Sequence, residues 1–167
     1  MNNRGVRILL DECLDELNRM QSLIVGLQGG AVPDYIQRYA VIRATGSIET
    51  GFKTIIADKV DEGSHVQVKN FIKKKIRDSS CNPKLGMIEN MLAEFDTRWN
   101  AKFDELLAFE DKPGLKGALT ELVNARNDFA HGGNANLGIS EIIEYFNSGV
   151  KVLSILDTVV NLEFEDT

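Results

Sequence analysis

Arg126 and His131 stand five residues apart in the string Leu122-Val123-Asn124-Ala125-Arg126-Asn127-Asp128-Phe129-Ala130-His131-Gly132-Gly133. Arginine carries a permanent charge on a planar fork that matches phosphate oxygens. Histidine both takes and gives a proton near neutral pH. Displayed together at a helix end, the two are a minimal kit for cleaving a phosphodiester. Asn127 and His131 are spaced i and i+4 and so share a face, with Arg126 displaced from it by one residue step. There is a plain alternative, because arginine and histidine are both favoured near a helix C-terminus by the helix dipole. On spacing alone, that alternative leads by about two to one.

The helix carrying these residues is expected from about Leu115 to His131, where Gly132-Gly133 lets the chain turn away. Leu119, Leu122, Val123 and Phe129 give it an apolar stripe toward a core. Other segments read with the same period. Val6, Leu9, Leu10, Cys13, Leu17 and Met20 mark a first helix that fades near Gly29-Gly30. Asp34 after Pro33 predicts the cap of a second helix running to about Val60. Gly46 and Gly51 inside it each cost about 1 kcal/mol relative to alanine. That cost predicts close backbone packing, within the fold or across a dimer. Ser64 is expected to cap a third, basic helix, and Asn82-Pro83 reads as the cap and first turn of another. Residues 84–109 are helical in pattern with a break near Asp96, and 110–114 read as a loop. Ser140 is expected to cap a last helix, whose tail frays beyond Glu163. No alternating strand pattern, repeat or low-complexity stretch is present. The expected fold is all-α, a bundle of about five to seven helices forming one domain over residues 1–167.

Composition narrows the function classes. Hydrophobic residues make up 43% and charged residues 26% of the chain, as in ordinary globular proteins. The net charge of −6 excludes a protein that coats nucleic acid without discrimination. The charge is uneven, since Lys69, Lys73, Lys74, Lys75, Arg77 and Lys84 face only Asp78 between His65 and Lys84, whereas 140–167 is strongly acidic. Cys13 and Cys81 make neither a disulfide framework nor, with two histidines, a zinc pattern. They are expected to be reduced, packed thiols. No apolar run is long enough to span a bilayer, and the N-terminus lacks a signal core, so a cytoplasmic protein is expected. Gln28-Gly29-Gly30 lacks the strand–turn–helix context of a phosphate loop, which argues against a nucleotide-modifying enzyme.

The string Arg-Asn-Asp-Phe-Ala-His-Gly at 126–132 resembles the signature of the HEPN superfamily of small all-helical ribonucleases, in which Arg-Asn-x-x-x-His is a favoured form. Tyr39-Ala40-Val41-Ile42-Arg43-Ala44-Thr45-Gly46-Ser47-Ile48-Glu49 is similar to the second-helix segment of the RiboL-PSP-type branch. The order of helices, with the motif helix followed by a closing helix, matches as well.

That resemblance implies Arg126 and His131 as the active pair and Asn127 as the polar residue that often follows the arginine. It implies a homodimer whose two motifs form one composite cleft, metal-independent cleavage of RNA with no cofactor, and a toxin or phage-defence role under an antitoxin or regulatory partner. The competing reading is a non-catalytic helical dimerisation or regulatory module, which the acidic body also fits. Further candidates are weaker. Arg43 and Glu49 either stand behind the cleft or hold the second helix by an ion pair, with Glu49 and Lys53 sharing a face. Lys73, Lys74 and Lys75 either receive the RNA backbone or form a solvated charged face, the latter favoured by roughly two to one. His65 is expected at the surface. Trp99, Tyr35 and Tyr39 have the spacing of core residues.

Overall fold

The structure is a computed structural model that describes residues 1–27, 31–131 and 137–164. Every regular element among them is helical: α1 (Arg4–Val25), α2 (Val32–Asp61), α3 (Val66–Ile72), a π-turn (Lys73–Arg77), α4 (Leu85–Phe95), α5 (Thr97–Leu107), α6 (Lys112–Ala130) and α7 (Ile139–Val160). The all-α bundle expected from the period of apolar residues is what the chain forms. Among the described residues, no helix is long and apolar enough to cross a membrane.

The centre of the bundle is α2, which packs against α1, α6 and α7. Such a helix needs apolar residues round much of its circumference, and Ala40, Val41, Ala44, Ile48, Phe52 and Ile56 are all fully buried. Helices α4 and α5 pair as a hairpin, with α5 against α7 and α4 against α6. Phe52, Phe103 and Phe146 fill the core, each contributing about 2–3 kcal/mol of burial.

The two glycines of α2 part company. A Cβ on Gly51 would stand 2.7 Å from Leu153 Cδ1 and 3.3 Å from Val6 Cγ1, so side chains of α1 and α7 pack directly on the α2 backbone there. Close packing holds at this position. A Cβ on Gly46 would meet nothing within 4 Å, and no packing among the described residues explains that glycine.

Helix ends differ from the sequence expectation in a consistent way. Asp34 lies inside the first turn of α2, whose N-cap is Ala31. Ser64 donates to the Val60 carbonyl at 2.6 Å and leaves His65 as the N-cap of α3. Ser140 accepts from Gln21 Nε2 at 3.0 Å, and α7 starts one residue earlier behind Gly138. Asn82-Pro83 precedes α4, whose N-cap is Lys84. Ser64, Ser140 and Asn82 each found a different partner. The break at Asp96 is real: Asp96 leaves the helical region and caps α5 by accepting from the Arg98 N–H at 2.8 Å. Helix α6 begins sooner than its loop signal implied, because Asp111 accepts from the Gly114 N–H at 3.1 Å and Pro113 fits the first turn. The expected turn at Gly132-Gly133, the stretch Gln28-Gly29-Gly30 and the last residues of the tail lie outside the described residues.

Candidate active site

Helix α6 is fixed by burial of Leu115, Leu119, Leu122 and Val123, and by Thr45 of α2, whose hydroxyl lies 3.4 Å from the Leu122 carbonyl. Beyond Ala125 its residues come progressively out of the core. Arg126 and Asn127 are half-buried and His131 is exposed. His131 is the C-cap, with its N–H donating to the Asn127 and Asp128 carbonyls at 3.1 and 3.2 Å. The imidazole therefore stands at the end of the helix, clear of its interior. His65 is exposed at the far end of α2, away from the motif in sequence.

Arg126 donates from Nη2 to the Asn82 side-chain carbonyl, while its Nε is buried without a hydrogen-bond partner among the described residues. Asn82 belongs to the segment between the π-turn and α4. The same segment is gripped from α2: the Cys81 N–H donates to Glu49 Oε1 at 2.9 Å and Lys53 Nζ donates to the Ser79 carbonyl at 2.5 Å. Glu49 and Lys53 pair with each other at 3.1 Å. Lys84 reaches Asn124 of α6 at 3.2 Å. Glu49 thus connects to Arg126 through one short piece of backbone. Burial, and then the Glu49 carboxylate, push the Cys81 thiol above its ordinary value, so it stays protonated at neutral pH.

Arg43 is placed elsewhere. It pairs with Glu16 of α1 at 2.6 Å and donates to Ser47 Oγ at 2.5 Å. Six residues separate it from Glu49, about 120° round the helix, so the two serve different neighbours. The Arg43 hydrogen bond holds the Glu16 carboxyl below the usual range. Tyr39 donates its hydroxyl to Glu16 at 2.9 Å. Contrary to their core-like spacing, Tyr39 and Tyr35 are exposed, at 50% and 65%. The step from Tyr35 to Tyr39 follows a face of α2 that stays largely exposed beside α1 among the described residues. Trp99 is half-buried against the core. Lys73, Lys74 and Lys75 are exposed on the π-turn, and Arg77 beside them is held by Asp58 and Asp61 at 2.7 and 2.8 Å.

Sequence reasoning missed two residues near the motif. Asn82 gave the signal of a helix cap, and only the fold brings it to an arginine 44 positions away. Arg38 lies with its guanidinium 5.5 Å from the centre of the Phe129 ring and 5.9 Å from that of Tyr35. Its spacing of three from Tyr35 could have shown the second contact. The cation–π contact to Phe129 ties α2 to the last turn of α6. Among the described residues, no group of three or more His, Cys, Asp or Glu side chains is placed to hold a metal ion.

The model of one protein family, RiboL-PSP-HEPN, matches residues 8–162. No curated protein and no solved structure matches the chain.

Proposed function

The chain belongs to the RiboL-PSP-HEPN family, and on that premise we propose that it is a metal-independent endoribonuclease. His131 takes the proton from a ribose 2′-hydroxyl, and the freed oxygen attacks the adjacent phosphorus. Arg126 clamps the phosphate and offsets the charge that grows on its oxygens. The P–O5′ bond breaks, the 5′-oxygen leaves with a proton, and a 2′,3′-cyclic phosphate remains. DNA lacks the 2′-hydroxyl and resists. Asn127, on the face of His131, orients the phosphate or the ring. The observation that carries this reading is that one helix end holds both an exposed histidine and an arginine whose hydrogen-bond partner is uncharged.

One imidazole cannot be base and acid in the same step. Two protomers related by a two-fold axis divide the roles, with the His131 of one as base and that of the other as acid. The uncovered face of α2 supports such pairing: Tyr35, Tyr39 and Ile42 are exposed along it, and Gly46 continues it with open space above. In the cell, the activity fits an effector that arrests growth, of the toxin or phage-defence kind, held in check by a partner protein.

A second reading, a non-catalytic interaction module, is favoured by one observation. A groove of about 420 Å³ between α1 and α2, lined by Met20, Leu23, Val32, Tyr35, Ile36 and Tyr39, is open and apolar. The test separates the two. Wild type and His131→Ala are incubated with a mixed RNA pool in EDTA, and the mass of each protein in solution is measured. Cleavage by wild type alone, ending in cyclic phosphates, is expected. A His131→Ala dimer that cuts at the wild-type rate sinks the proposal, and a folded wild type that cuts nothing favours the interaction module.

A further inference from the structure

The segment 78–84 crosses from the π-turn to α4 and is held at several points. Lys53 holds the Ser79 carbonyl, Glu49 the Cys81 N–H, and the Lys84 N–H closes back on the Asn82 carbonyl at 2.8 Å. The anchors are stiff, since the Lys53 and Glu49 side chains are only 9% and 15% exposed and pair with each other. Pro83, buried next to Asn82, removes one more backbone freedom. The Asn82 side chain is therefore aimed at α6 by backbone fixed on both sides of it.

The kind of acceptor it offers matters. A carboxylate at this place would pair with the guanidinium and offset its charge, as Asp58 and Asp61 do for Arg77 through Nη2. An amide oxygen orients the arginine and leaves the full charge. The buried Nε has no hydrogen-bond partner among the described residues, so the chain does not saturate the guanidinium, whose charge is left for a phosphate to answer.

We propose that Asn82 is a positioning residue for Arg126. It holds the guanidinium through a neutral acceptor so that its charge stays available to a substrate phosphate, and Glu49 and Lys53 fix the segment that carries it. The inference rests on the nuclease reading above and deepens it.

The test uses full-length His131→Ala protein, which is expected to bind without cutting, and a labelled single-stranded RNA oligonucleotide followed by fluorescence anisotropy across a salt series. Adding Arg126→Ala is expected to weaken binding about tenfold and to lower the slope of log affinity against log salt by about 0.7, one phosphate contact on a single strand. Adding Asn82→Asp is expected to do the same without lowering the melting temperature, since the arginine is held more firmly but neutralised. Ser80→Asp, exposed on the same segment, controls for added negative charge and is expected to leave the slope within about 0.2 of the parent. If Asn82→Asp keeps the parent affinity and slope while Arg126→Ala loses both, the inference falls and the nuclease reading stands. The inference also falls if Ser80→Asp loses as much as Asn82→Asp. If Arg126→Ala loses nothing, the phosphate contact of the nuclease reading falls, and this inference with it. Asn82→Ala in otherwise wild-type protein provides an independent arm. With charge kept and aim lost, kcat is expected to drop about tenfold with KM changed less than about twofold. An unchanged kcat overturns the proposal.

Discussion

Arg43 and Arg126 are both half-buried, both on helices of the bundle, and both within the segments that resemble the family. Their partners separate them. Arg43 meets a carboxylate, Glu16, and a hydroxyl, Ser47, so its charge is neutralised across the α1–α2 contact. Arg126 meets an amide oxygen and keeps one buried donor unpaired. Spacing made both arginines candidates. The charge of the partner decides which of them can still attract an anion.

The sharpest way to break this comparison is to remove each arginine in turn. Arg126→Ala is expected to lower kcat/KM for RNA by about 10²–10³, the usual cost of removing a group that stabilises transition-state charge. Arg43→Ala is expected to cost about 1 kcal/mol of stability, as for a partly exposed ion pair, and to leave the rate per folded molecule within about twofold. Cleavage rates normalised to folded protein, beside urea melts, decide it. Equal losses of rate in the two variants would erase the distinction.

Next in size is Glu49, which has the nearly buried charge of Lys53 on one side and the Cys81 N–H on the other. Glu49→Ala leaves the Cys81 N–H without its acceptor and Lys53 without its counter-ion, holding only the Ser79 carbonyl, and is expected to cost about 3 kcal/mol in urea unfolding. Glu49→Gln keeps the acceptor for Cys81 and is expected to recover part of that loss. If Glu49→Ala cost under about 1 kcal/mol, the grip on the Asn82 segment would be too weak to aim Arg126.

The helices were legible because each buries a stripe at three- and four-residue steps, a local property of the chain. The motif at α6 was legible because its residue types and the glycines after it are contiguous. The polar side chains were not. Asn82, Ser64 and Ser140 all read as caps, since the local geometry allows that use; tertiary neighbours took Asn82 and Ser140, and the Val60 carbonyl four residues back took Ser64. Tyr35 and Tyr39 have core spacing on a helix buried along most of its length, and sequence does not tell which stripe of such a helix is left uncovered. Arg43 and Glu49 share a helix, and only the fold shows that one serves α1 and the other the Asn82 segment.

The glycines of α2 extend the contrast from charge to packing. Gly51→Ala forces a methyl against Leu153 and Val6 and is expected to cost about 2 kcal/mol, read from thermal or urea melts. Gly46→Ala meets nothing and is expected to stabilise the isolated protomer by about 1 kcal/mol through helix propensity. If the same face pairs two protomers, Gly46→Ala also weakens the dimer in sedimentation experiments. A dimer of unchanged affinity would move the two-fold contact to another surface.

The smallest expected effect concerns pH and returns to the two arginines. The Glu16 carboxyl is held below its ordinary value, first by the Arg43 hydrogen bond. A carboxyl whose folded pKa is depressed contributes stability that is fully present above its unfolded pKa, about 4.3. That contribution is lost as pH falls through the folded pKa, so the window lies below about pH 4.3. Asp96, held down first by its hydrogen bond from Arg98, adds a loss in the same acid range. Glu16→Gln is therefore expected to melt less steeply with falling pH than wild type, while Asn82→Ala keeps the wild-type slope because neither Asn82 nor an arginine titrates there. Melting temperatures of the three proteins at pH 7, 5, 4 and 3 are the measurement. A wild-type slope in Glu16→Gln would mean that Glu16 contributes little to holding Arg43, and the charge of its partner would no longer set Arg43 apart from Arg126.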